Sequence, residues 1–287
     1  MAKAQGPLFK IALGLLFLLL TTAVQLEAQT IGSLIFEDDF TAGSLNSTYW
    51  DPFITDNAAN GWPWNTAKGQ PTNSSAISKA GSYYLDYDLP SFISTGTGLT
   101  LEAKKGSTAK GFTWTGAVIS SYPDTRFTST QGFKFQDAYV EVSAKLPYTG
   151  NGSWPAIWFL AAPGGSGAEI DLHEGGFTSG SVDADRIFAC HLNSSGNVQY
   201  LIDAGVNLSA AYHTYAMAYK QGQYVKIYLD GTLMCNYTVN IPTGPYFIIL
   251  NNGVASPKTS SWHSQVNSST ASPNYMQVAY VKVYNLS

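Results

Sequence analysis

From Leu34 onward the chain alternates apolar and polar residues in short runs, a pattern that predicts strands, and no amphipathic helical period is evident. Residues 99–103 put Leu99, Leu101 and Ala103 on one face, and residues 138–146 put Tyr139, Glu141 and Ser143 on one face. Residues 215–219, 224–229, 246–250 and 276–284 read as further strands. Asp230-Gly231 marks a turn, and residues 150–152 and 163–167 read as loops. Many short strands with turn punctuation predict an all-β fold, a jelly-roll sandwich of two antiparallel sheets. No linker or repeat divides the pattern. Residues 29–287 are therefore read as one domain.

The N-terminus departs from this pattern. Lys3 and Lys10 precede an apolar run over 11–20, and Ala23 and Ala28 offer small-residue exits. That layout predicts a secretory signal over 1–28 and a secreted, extracellular protein. The run is about half the ~20 residues that span a bilayer, so no membrane span is expected after cleavage. Composition supports the sheet reading, with 18 Tyr, 14 Phe and 7 Trp against 12% charged residues. Net charge is −4 and no basic run occurs, which argues against a nucleic-acid partner. Cys190 and Cys235 fall in separate strands. They either pair in an oxidising compartment or remain two buried thiols, and the sequence favours neither. Trp62 and Trp64 lie in a weakly patterned stretch over 51–82, where they stack on sugar or pin the loop to the sheet.

The chemistry concentrates in Glu169-Ile170-Asp171-Leu172-His173-Glu174, which follows the strand Trp154-Pro155-Ala156-Ile157-Trp158-Phe159-Leu160 and a Gly-rich turn. Alternation puts Glu169 and Asp171 on one face and Ile170 in the core. Glu174 has the wrong parity. A β-bulge near Leu172 and His173 would add one residue and return Glu174 to the same face. A solvated edge or a hard-cation site would also gather carboxylates. Cleavage of a glycoside with retention, however, needs a nucleophile and an acid whose carboxyl groups sit about 5–5.5 Å apart. After a bulge, Glu169 and Glu174 have Cα atoms about 13 Å apart, a gap two inward-leaning side chains can close.

The six-residue stretch resembles the Glu-X-Asp-X-X-Glu signature of glycoside hydrolase family 16. Flanking segments resemble the family in order: Phe36-Glu37-Asp38-Asp39-Phe40, the strand ending in Lys145-Leu146-Pro147, the Trp154–Leu160 strand, His213-Thr214-Tyr215 with Asp230-Gly231, Leu250-Asn251, and Tyr280-Val281-Lys282-Val283-Tyr284. The resemblance implies a sandwich with a substrate cleft across its concave sheet. It also implies retention, with Glu169 as nucleophile, Glu174 as acid/base and Asp171 assisting. The six-residue spacing is similar to the bulged branch, which includes laminarinases and some agarases and carrageenases. Several positions depart from the family. Ser143 stands where an Arg is common, and residues 116–121 lack an Arg often found there. Asn252 and Gly253 replace an apolar pair, which suggests a remodelled cleft end. Ala279 replaces an Asp that helps bind calcium, so no cofactor is assigned and a structural calcium is not supported. His173 replaces an apolar residue. It tunes the carboxylates if it faces the cleft, but a buried, hydrogen-bonded histidine is the favoured reading.

The expected substrate-binding residues are Trp154, Trp158, His191, Glu141 and Asn251. Four of them have a plainer alternative: core packing for the two tryptophans, a solvated strand position for Glu141 and a backbone bond for Asn251. His213 reads as structural. The expected activity is an endo-acting β-glucanase on β-1,3 or mixed β-1,3/1,4 linkages, working as a monomer with a polysaccharide as its partner. The alternatives are a galactan hydrolase or a transglycosylase of the same chemistry, and a non-catalytic lectin-like module on the same sandwich. The acidic balance disfavours sulfated galactans.

Overall fold

The computed structural model describes residues 30–50, 92–94, 98–106, 113–122, 131–162, 169–255 and 263–286. The expected leader, Trp62, Trp64 and the 163–167 loop lie outside them. Among the described residues there is no α-helix, only a single 3-10 turn at Ala184–Arg186. The strands are β1 Ile31–Asp38, β2 Phe92–Ser94, β3 Leu99–Lys105, β4 Trp114–Thr115, β5 Ala117–Ser120, β6 Ala138–Lys145, β7 Ser153–Ala161 and β8 Glu169–Glu174. They continue with β9 Ile187–Asn193, β10 Asn197–Asp203, β11 His213–Lys220, β12 Tyr224–Leu229, β13 Thr232–Tyr237, β14 Tyr246–Val254 and β15 Asn274–Leu286.

These strands build two antiparallel sheets. One runs β13-β12-β11-β6-β15-β3-β2, with β1 also on β15 and β4 on β3. The other runs β10-β9-β8-β7-β14-β5. The alternation explains the stacking. Val140, Val142 and Ala144 of β6 meet Ile157, Phe159, Ile170, Leu172, Phe188, Ile248 and Leu250 from the second sheet in one buried core. The expected all-β sandwich is present, and Asp230-Gly231 makes the β12–β13 turn with positive φ of 48° and 77°.

Alternation also assigns the other face of the second sheet, where Ala156, Trp158, Phe247, Ile249 and Val118 form a separate apolar cluster. This face carries the carboxylates. Asn252 has the opposite parity on β14. Its Nδ2 donates to Leu101 O and Asn274 Oδ1, both at 3.0 Å, and ties the two sheets together inside the core. That corrects the expectation that Asn252 remodels the cleft.

Cys190 and Cys235 are joined in a disulfide that links β9 in one sheet to β13 in the other, with Cα atoms 6.9 Å apart. The bond closes a separation of 45 residues through the buried interior.

Candidate active site

The register of β7 on β8 shows the bulge directly. Leu160 pairs with Glu169, Phe159 with Ile170 and Trp158 with Asp171; Ile157 then pairs with His173 and Ala156 with Glu174. Leu172 is the extra residue. Leu172 and His173 both point into the core, and Glu174 returns to the face of Glu169 and Asp171. The expected row of three carboxylates therefore forms.

His173 is fully buried against the rings of Phe188 and Tyr215, at centroid distances of 5.2 and 5.6 Å. Its Nδ1 accepts the backbone N–H of Ala189 at 3.4 Å. The regular β8–β9 pairing runs only from Glu169 to Asp171, so Ala189 lies where the bulge interrupts it. The imidazole supplies an acceptor there. An unmade buried bond would cost about 1–3 kcal/mol. Burial pushes the His173 pKa down to about 3, so the ring is neutral.

The carboxylates hold different environments. Burial raises the Glu169 pKa well above its usual value, and the charges of Asp171 and Glu174 add to that, while His191 opposes them. Burial, then Glu174, likewise raises Asp171 well above the ordinary range. His191 Nδ1 lies 2.8 Å from Asp171 Oδ2 and 3.8 Å from Glu169 Oε1. Its Nε2 meets Asn197 Oδ1 of β10, an acceptor. The imidazole thus bridges Asp171 and Asn197 beside Glu169. Glu169, Asp171 and His191 each place a ligand atom within 4.8 Å of the others, a spacing a metal ion would also accept.

Around this centre Trp154 Nε1 donates to Glu174 Oε1 at 2.8 Å. Trp158 Nε1 donates to Asn251 Oδ1 at 2.7 Å, and Asn251 Nδ2 donates to Trp154 O at 3.3 Å. Trp158 is only 8% exposed and packs into the apolar floor, so it supports the site from below. Trp154 is half-buried and stands beside Glu174. Glu141 is not brought to the site. It lies on β6 of the opposite sheet, on the outer face, and its Oε1 accepts the Tyr280 hydroxyl at 2.7 Å. Alternation had placed it correctly within its own strand, but parity does not say which sheet the strand joins. His213 is also remote, paired with Asp230 at 2.7 Å.

One residue of the site was missed. His263 stacks between Trp154 and Phe177, at centroid distances of 4.4 and 4.5 Å, and its Nε2 lies 3.3 Å from Glu174 Oε1. The backbone holds it there. Phe177 and His263 form an antiparallel bridge, Ser264 N–H donates to Gly176 O at 2.7 Å, and Gly152 N–H donates to Ser264 Oγ at 3.0 Å. A Cβ on Gly176 would stand 3.0 Å from the His263 ring, and Gly176 has φ of +93°, so glycine admits the ring on both counts. Nothing in local spacing marks His263; only its rarity, as one of four histidines, could have drawn attention.

Comparison with known proteins agrees with this geometry. The family described as Glycosyl hydrolases family 16 matches residues 87–282. The chain is 27% identical to a "Beta-glucanase" of Paenibacillus macerans, over 87% of this chain and 92% of that protein. It is 24% identical to "Glucan endo-1,3-beta-glucosidase A1" of Niallia circulans over 88% of this chain, but spans only 38% of that longer protein. The fold matches the laminarinase catalytic domain of Thermotoga maritima with a TM-score of 0.65 at 22% identity, covering 89% of this chain and 99% of that one. The chain belongs to glycosyl hydrolase family 16.

Proposed function

We propose that this protein is a secreted, retaining endo-β-glucanase that cleaves β-1,3 or mixed β-1,3/1,4 linkages by double displacement. The observation that carries the reading is the bulge at Leu172, which lines Glu169 and Glu174 on the open face of the second sheet, with Asp171 between them. In the first step a Glu169 oxygen bonds to the anomeric carbon as the bond to the leaving oxygen breaks. Glu174 gives that oxygen its proton. In the second step Glu174, now a carboxylate, takes a proton from water, and the water oxygen displaces Glu169. His191 beside Glu169 favours the ionised carboxylate that attack requires.

The names of the relatives support a glucan substrate. So does the uncharged character of the neighbouring face, formed by Trp154, Trp158, Phe247 and Asn251. The leader expected over 1–28 and the Cys190–Cys235 disulfide support an oxidising, extracellular location. No helix among the described residues is long and apolar enough to cross a membrane.

The test is incubation with laminarin, barley mixed-linkage glucan, agarose and xyloglucan, with Glu169→Gln in parallel, reading reducing ends and products. Release of mixed oligosaccharides from laminarin or barley glucan, absent in the variant, is expected. Release from agarose or xyloglucan alone would overturn the substrate assignment, and release from none of the four would overturn the enzyme.

A further inference from the structure

Two ring nitrogens from distant parts of the chain converge on one oxygen of Glu174. Trp154 Nε1–H donates to Oε1 at 2.8 Å, and His263 Nε2 lies 3.3 Å from the same atom. The Trp154 and His263 rings also stack on each other, so each fixes the other. The His263 side chain is 4% exposed and Glu174 16% exposed, so the contact is shielded while the carboxyl still reaches the cleft. Oε1 accepts the Trp154 N–H and so does not hold the acidic proton, while the His263 ring packs against the same atom. The proton of the carboxylic acid is then left to Oε2.

We propose that His263 is a positioning residue for the acid/base: with Trp154 it restrains Oε1 of Glu174, so that Oε2 presents its proton to the glycosidic oxygen. The proposal rests on Glu174 as the acid of the reaction. The step it serves is balanced: the O–H bond at Oε2 breaks, the proton moves to the leaving oxygen, and the electron pair of the C–O bond goes to that oxygen while Glu169 bonds to the anomeric carbon. Without the restraint, the Glu174 carboxyl rotates among orientations of which few aim the proton correctly, and loss of aim lowers the rate of proton transfer.

The rate for a leaving group that needs no proton tests this. His263→Phe keeps a ring between Trp154 and Phe177 but removes the nitrogens, and His263→Ala removes both. Each is assayed on a methyl glycoside and a 2,4-dinitrophenyl glycoside of laminaribiose, beside Glu174→Ala. The expected result is a fall in kcat of about 10–100-fold on the methyl glycoside for both His263 variants, with KM little changed. On the dinitrophenyl substrate the glycosylation rate, read from the burst of dinitrophenolate, is expected to stay within about threefold, because that leaving group departs as an anion. Equal losses on both substrates, or no loss on either, would overturn the role of His263. Should Glu174→Ala itself lose both substrates equally, the acid assignment fails, and the proposal fails with it.

Discussion

His191 lies beside both Glu169 and Asp171, and its effect on Glu169 has a definite sign. Burial and the charges of Asp171 and Glu174 hold the Glu169 pKa up, and His191 pulls it back. As the proposed nucleophile Glu169 acts only when ionised, so its pKa sets the acidic limb of kcat/KM against pH. Replacing His191 with alanine removes the one opposing influence. The Glu169 pKa rises further, and activity is lost at a higher pH on acidification. Asp171 also loses its 2.8 Å partner. A charge-assisted bond of about 1.5–3 kcal/mol corresponds to a loss of about 10–100-fold at the optimum. The pH–rate profile of His191→Ala on a laminarin oligosaccharide measures both effects. An acidic limb that stays in place or moves to lower pH would contradict the assignment.

At the scale of the strand, β8 depends on a single extra residue. Deleting His173 leaves Glu169-Ile170-Asp171-Leu172-Glu174, a regular alternation with all three carboxylates on one face and Ile170 and Leu172 in the core. Inserting one glycine after Leu172 instead puts Glu174 six positions from Glu169, which separates their Cα atoms by about 20 Å in a regular strand, too far for the two carboxyl groups to act on one bond. The deletion is expected to keep measurable glucanase activity, whereas the insertion is expected to lose about 10²–10⁴-fold, the contribution of a general acid. Circular dichroism alongside the assay separates loss of fold from loss of register. Activity retained by the insertion would refute the spacing argument. This strand also shows what sequence can reveal. Glu169, Asp171, the core position of Ile170 and the bulge all follow from a period of two and one misplaced Glu, because they are local. Glu141 was misplaced because strand pairing joins β6 to β11 and β15, which is a long-range choice. His263 was missed for the same reason, since 89 residues separate it from the Glu174 it contacts.

Across the whole molecule, the sheets are held by their shared core and by one covalent link. Cys190 adjoins His191 on β9, and Cys235 lies on β13, an edge of the other sheet. The link restricts the unfolded chain by closing a loop of 45 residues. Chain-entropy reasoning assigns a loop of that length about 4 kcal/mol, against a usual range of about 2–5 kcal/mol. The native site, by contrast, is set by strand pairing: Asp171 faces His191 through the β8–β9 ladder, which needs no disulfide. Stability and activity should therefore separate. Cys190→Ala with Cys235→Ala is expected to lower the unfolding free energy extrapolated from urea titration by about 4 kcal/mol, and the urea midpoint with it, while kcat at low temperature stays close to that of the parent. Dithiothreitol should lower the parent's midpoint to that of the variant and leave the variant unchanged. A parent insensitive to the reductant under denaturing conditions would show that the disulfide does not hold the sheets together. A variant that stays folded but inactive would show instead that the bond positions β9, and with it His191, against Asp171.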